Sequence, residues 1–200
     1  MTTFITLYMC LISVVIAVAL SCCIPEKFEG HVGIKFGVVD YGQLIAGWEF
    51  YNFSYDVLEK KIALVGHIGF ERSEWYEHIL LDYSSGKQYT DKAGTCTITN
   101  LTGSPFTCIP SNSTIKRSAY FGMGSNKIDI EIYEILNDHS SIEISVLKDS
   151  CVPVTEYLNY NGTIAELHYM DVKPGIRNKK VFDVPLACQT GFAISNVRFV

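Results

Sequence analysis

Charge is scarce in this chain: Asp, Glu, Lys and Arg make up 18% of its 200 residues and leave a net charge of −5. The basic pairs Lys60-Lys61 and Lys179-Lys180 form no cationic stripe, so nucleic acid is not expected as a partner. Enzyme signatures are missing too. There is no Gly-x-Ser-x-Gly elbow, no His-Glu-x-x-His helix and no Gly-x-x-x-x-Gly-Lys phosphate loop. The histidines His31, His67, His78, His139 and His168 are scattered without a recognisable partner, and no catalytic residue is predicted. Cys-x-x-Cys spacing is absent, which argues against zinc. An EF-hand loop is absent as well; the densest acidic stretch, Asp129, Glu131 and Glu134, follows a strand pattern, and no metal ligand is named from it. No low-complexity linker divides the chain, and with 48% apolar and 12% aromatic residues it has ample material for a core.

Long apolar runs are confined to the amino terminus. Residues from Phe4 to Leu20 are almost uninterruptedly apolar and end in Ala17, Val18 and Ala19, the outline of a secretory signal peptide cut after Ser21 or close to it. A membrane anchor would want flanking cations, and none occurs before Lys27. Lipid attachment at Cys22 would want Leu three positions earlier, where Ala19 stands. Residues 1–21 are therefore expected to be a removed signal. Residues 22–200, about 180 in number, are expected to fold as one domain with no stable membrane span.

Passage through a secretory pathway is supported twice. Asn52, Asn100, Asn112 and Asn161 each head an Asn-x-Ser/Thr triplet, four sequons where chance among nine asparagines gives about one. A glycan cannot enter a core, so these positions are expected at the surface. Once Cys10 is lost with the signal, six cysteines remain, Cys22, Cys23, Cys96, Cys108, Cys151 and Cys188. Disulfides are expected in that compartment, and the spacing alone leaves about fifteen pairings open.

Elsewhere the hydrophobic pattern has period two. Phe28, Gly30, Val32, Ile34, Phe36 and Val38 alternate with His31 and Lys35. Ile128, Ile130 and Ile132 lead through a turn at Asn137-Asp138-His139-Ser140 into Ile142, Ile144 and Val146, a hairpin. Strand-like segments also run from Gly47 to Tyr55, Lys61 to Ile68, Trp75 to Tyr83, Gln88 to Thr90, Val152 to Tyr160 and Thr163 to Met170. Gly122-Met123-Gly124-Ser125 reads as a turn, and only the stretch from Val181 to Leu186 suggests a short helical turn. Many short strands with frequent turns predict an all-β sandwich or open barrel.

The order of landmarks along the chain resembles the ependymin-related family. Cys23-Ile24-Pro25-Glu26-Lys27-Phe28-Glu29-Gly30 opens it, followed by Tyr76-Glu77-His78-Ile79-Leu80-Leu81, Cys96, Ile109-Pro110-Ser111-Asn112-Ser113-Thr114 and Lys148-Asp149-Ser150-Cys151-Val152-Pro153-Val154. Gly175-Ile176, Val181-Phe182, Pro185 and Cys188 close it. The resemblance implies two stacked curved antiparallel sheets forming an open half-barrel around a deep apolar pocket, similar to LolA-type lipoprotein carriers. It also implies disulfides joining Cys23 to Cys151 and Cys96 to Cys188, which leaves Cys22 and Cys108 unassigned. The further bridge of mammalian members has no counterpart, Ser73 standing near its first position.

A curved sheet with one apolar face must fill its concavity with its own side chains or with a ligand, and an apolar pocket suits a lipid, a fatty acid or another hydrophobic molecule. Trp48, Phe50, Trp75, Tyr120 and Phe121 are the candidates to line it. The resemblance also implies an alternative role as a calcium-binding glycoprotein of matrix adhesion acting through its outer surface, with extracellular matrix components as partners. Calcium is thus a candidate ion, no cofactor is required, and exposed strand edges allow a homodimer.

Overall fold

The computed structural model describes residues 22–40, 42–70, 73–111, 113–137, 140–160 and 162–189. The expected signal peptide and the sequon residues Asn112 and Asn161 lie outside the described residues.

The period-two segments become strands, and each short turn makes its neighbours antiparallel. In chain order they are β1 (Lys27–Asp40), β2 (Gln43–Asp56), β3 (Lys61–Phe70), β4 (Ser73–Asp82), β5 (Lys87–Lys92) and β6 (Thr95–Asn100). After a long connection come β7 (Thr114–Met123), β8 (Asn126–Asn137), β9 (Ser140–Leu147), β10 (Pro153–Tyr160) and β11 (Thr163–Pro174). A 3-10 turn (Lys179–Phe182) and a one-turn helix α1 (Leu186–Gln189) follow. The hydrogen-bonded order is β6-β5-β4-β3-β2-β1-β11-β10-β9-β8-β7, eleven strands in one open sheet. The two expected layers are thus the two halves of a single sheet, joined where β1 pairs with β11.

Tight turns hold the hairpins in register. Asp82 accepts from the backbone N–H of Ser84 and Ser85 at 3.0 and 3.1 Å, closing the β4–β5 turn as an Asx turn. Asp56 does the same for Glu59 at 3.0 Å before β3, and its carboxylate lies 2.9 Å from the Lys27 ammonium. The two ends of the sheet differ. On β6, Cys96 is bonded to Cys188 of α1, so that helix lies against this margin. β7 is the opposite margin; a bulge between Ile115 and Arg117 and the charged Lys116 and Arg117 break the regular ladder that a stray strand would need.

The disulfides correct one expected pairing. Cys22 is bonded to Cys151 and Cys23 to Cys108, so Cys23 does not reach Cys151. Cys22 and Cys23 lie in an extended segment that Ile24 N–H to Thr107 O (2.9 Å) and Ile109 N–H to Cys22 O (2.8 Å) tie to the β6–β7 connection. Successive side chains of an extended chain point to opposite sides. Cys23 faces its bridge partner Cys108, and Cys22 is left facing Cys151, two residues before β10.

One core joins Phe28, Val32, Tyr51, Phe53 and Tyr55 with Ile24. A second lies on the opposite face of the sheet, where Phe182 of the 3-10 turn closes over Ala63 and Leu80. A salt bridge from Arg177 Nε to Glu29 Oε1, 2.8 Å, helps anchor the terminal segment as it leaves β11.

Candidate functional site

Strand register decides what faces the concavity. Residues paired directly across an antiparallel ladder share a face, and Phe28↔Tyr55, Val32↔Tyr51 and Ile34↔Glu49 set the inner face of β1 and β2. The same rows continue through Phe53↔Leu64 and Tyr55↔Ile62 into β3, and through Ile34↔Leu167 and Val32↔Tyr169 into β11. From there Leu167↔Glu156 and Glu156↔Ile144 carry the inner face across β10 to β9. All of these residues except Tyr51 and Glu49 line one cavity of about 340 Å³. Leu81, Ile135 and Ile142 also contribute to its walls, and Ile24, Tyr83 and Phe106 close it from loops. Both halves of the sheet therefore wall it, and the size lies at the lower end of small-molecule sites.

The lining is overwhelmingly apolar, and the few polar groups are arranged in two ways. The Tyr55 hydroxyl donates to the Phe106 carbonyl, which pins the loop over the cavity. Burial, with the neighbouring Tyr83 and Glu156, pushes the Tyr55 hydroxyl up and keeps it neutral. Deeper in, the Tyr169 hydroxyl donates to Glu156 Oε1 at 3.0 Å. Burial raises the Glu156 carboxyl above its ordinary value, an effect the tyrosine hydrogen bond only partly offsets. A second acidic group sits outside the cavity on the same face, where the Tyr51 hydroxyl donates to Glu77 Oε2 at 2.9 Å.

The five aromatic residues expected to line the pocket do not. Trp48 and Phe50 project from the opposite face of β2, in the rows Lys35↔Trp48↔Gly69 and Gly33↔Phe50↔His67, and are 43% and 45% exposed. Trp75 shares the inner face but not the cavity, with the Lys92 ammonium 3.7 Å from its ring centre. Tyr120 and Phe121 lie on the margin strand β7, both exposed, and Lys127 covers Tyr120 at 4.1 Å. The error on β2 has a clear physical origin. That strand carries aromatics on both faces, at Trp48 and Phe50 and at Tyr51, Phe53 and Tyr55, so hydrophobicity alone cannot assign its parity. Asn52 held the missing signal: a sequon that carries a glycan has to face solvent, and its even position would send Trp48 and Phe50 outward with it. Asn52 is exposed on that outer face, and Asn100 is exposed on β6.

Glu156 and Tyr169 carried no such signal, because nothing local places a β10 carboxyl against a β11 phenol. Two members of the acidic stretch on β8 are engaged: Glu134 pairs with Lys116 at 2.9 Å and Glu131 accepts from Tyr133 at 2.6 Å. Among the described residues no group of three or more His, Cys, Asp or Glu is placed to hold a metal ion. No helix among them is long and apolar enough to cross a membrane.

Comparison with known proteins adds the following. The sequence profile of the family described as Ependymin matches residues 71–188. The ependymin-related protein 1 of Haliotis asinina is 22% identical over 183 residues, covering 84% of this chain and 90% of that protein. Among solved structures, an uncharacterized conserved protein from Thermus thermophilus aligns with a TM-score of 0.49 and 7% identity, covering 84% of this chain and 91% of that one. A LolA superfamily protein from Nitrosomonas europaea aligns with a TM-score of 0.35 and 11% identity, covering 78% and 90%.

Proposed function

The chain belongs to the ependymin family, and on that premise we propose that it is a secreted, disulfide-bonded glycoprotein that holds a hydrophobic small molecule or lipid between the two halves of its sheet. In this reading residues 1–21 are a cleaved signal, residues 22–200 form one domain, and the protein is a binding protein rather than an enzyme. The observation that carries it is the cavity of about 340 Å³ lined by aliphatic and aromatic side chains from both halves. An apolar hollow of this kind is poorly hydrated and gains most from an apolar occupant. Three disulfides within the described residues support an oxidising compartment.

The test is native mass spectrometry of protein secreted from eukaryotic cells and stripped of glycans, before and after solvent extraction. A discrete extra mass that extraction removes is the expected result. An apo species that also rejects added lipid would end the carrier reading.

A second reading, adhesion to matrix components through the outer surface with or without calcium, is favoured by one observation. Trp48, Phe50, Tyr76, Tyr157 and Met170 are all exposed on the face turned away from the cavity. Exposed apolar patches of this kind mark contact surfaces, and a homodimer formed there would bury them. Sedimentation with and without calcium separates these cases, since a monomer in both that adheres to no matrix would leave the carrier reading alone.

A further inference from the structure

The cavity carries an acid and no base. Among the described residues no Lys, Arg or His lines it, and its one ionisable carboxyl, Glu156, stands between the apolar Leu167 and Ile144 on the flanking strands. Glu156 Oε1 accepts from Tyr169, the one side-chain hydrogen bond that bears on this carboxyl among the described residues, and its other oxygen is open to the cavity. An acid so placed gains nothing for the fold that two apolar side chains would not give, because the cost of removing a carboxylate from water exceeds what one phenol returns. A ligand head group that donates to the open oxygen would change that balance.

We propose that the cavity selects a long-chain amphiphile whose head group donates hydrogen bonds, an amine or an alcohol, and disfavours the carboxylate of a free fatty acid. This rests on the carrier reading and specifies its ligand. The apolar walls take the chain, and Glu156 with Tyr169 takes the head. An alcohol donates to the open oxygen of Glu156; an ammonium donates and also neutralises it. A carboxylate head would set a second acidic group beside Glu156, with no cation among the described lining residues to offset either.

The experiment uses the full secreted chain and an uncharged fluorescent dye seated in the cavity. Three competitors share one saturated chain and differ only in the head: primary amine, primary alcohol, carboxylate. At about pH 7 the amine and the alcohol are expected to displace the dye at concentrations lower than the carboxylate by about tenfold or more, the factor that one lost charged hydrogen bond commands. Glu156→Gln, whose amide can still accept from Tyr169, brings the three to within about threefold of one another, the residue of a neutral hydrogen bond. Should Glu156→Gln fail to fold, Tyr169→Phe tests the same point: it removes the hydroxyl that favours the charged form of Glu156 and is expected to narrow the gap. A carboxylate that competes as well as the amine, or a gap unmoved by these variants, overturns the assignment while leaving the carrier reading in place. If neither the dye nor any competitor binds, the carrier reading fails and this one with it.

Discussion

The Tyr51 hydroxyl reaches Glu77 Oε2 at 2.9 Å although a whole strand, β3, lies between their backbones. Gly66 makes this possible, since it pairs with Tyr51 on one side and Glu77 on the other and has no side chain to stand between them. The approach is close enough that a Cβ on Gly66 would lie 1.9 Å from the Phe50 carbonyl oxygen. Two strands are thus drawn together under a buried hydroxyl–carboxylate bond.

Glycine substitutions should therefore rank by what they strike. At Gly66 a methyl meets backbone, which cannot move without breaking the β2–β3 ladder, and Gly66→Ala is expected to cost about 3 kcal/mol. At Gly69 the added methyl would stand 2.2 Å from the Trp48 indole, an exposed side chain free to swing away. Gly69→Ala should cost about 1 kcal/mol, and Trp48→Ala should relieve most of that in a double-mutant cycle. Urea melts of the parent, the three single variants and the Gly69–Trp48 double variant measure both; equal costs at the two glycines would contradict the backbone argument.

Glu49 gives a pH dependence of definite sign. Burial, and then the nearby Glu77, pushes its carboxyl above the ordinary value of 4.5. Between 4.5 and the raised value the native protein holds more protons than the unfolded chain, so stability falls as pH rises through that window. Glu49→Gln removes this loss. The variant should melt above the parent at neutral pH, and the difference should vanish once pH drops below about 4.5, where Glu49 is protonated in both states. A difference that stays constant across the titration would mean that burial at this site is not felt by the charge.

The cysteine pairing is checked by making one thiol orphan another. Cys23→Ser should leave Cys108 alkylatable under non-reducing conditions and Cys151 blocked, since Cys23 is bonded to Cys108 and Cys22 to Cys151. A free Cys151 would return the pairing to the one the family resemblance implies. Losing Cys96–Cys188, which closes a separation of 92 residues, should cost about 2–5 kcal/mol by loop entropy.

Ligand retention should follow strand parity. Leu64→Gln places an amide in the cavity wall and is expected to reduce retention of an apolar probe at least about tenfold. Phe50→Ser acts on the outer face of the neighbouring strand and should leave retention unchanged. Dye titration of the two variants, with circular dichroism to confirm folding, is decisive: loss in Phe50→Ser with retention in Leu64→Gln would put the ligand on the outer face.

Much of this was legible in the chain. Phe28, Val32 and Ile34 announce an inner face by simple alternation, and they line the cavity. The pairing of β8 with β9 was readable from the alternation of Ile128, Ile130 and Ile132 with Ile142, Ile144 and Val146, although Asp138 and His139 of the expected turn lie outside the described residues, and the Val181–Leu186 stretch foreshadowed the turn that buries Phe182. β6 and most of β7 were not readable, because Thr95–Asn100 is short and polar and Thr114–Met123 is an exposed margin whose residues need not alternate. On β2 the alternation was present but double, and only the sequon at Asn52 distinguished its faces.

By itself, then, the sequence determined that this protein is built of strands, where most of them turn, and that an apolar face exists to be covered, since those features depend on neighbours within a few residues. Tertiary structure alone decided that β1 and β11, from opposite ends of the chain, would close the two halves into one sheet. It also decided that Cys22 rather than Cys23 would meet Cys151, and that Glu156 would find Tyr169 inside the cavity. Those outcomes rest on pairings between distant segments, and a one-residue change of register sends every side chain of a strand to the other face.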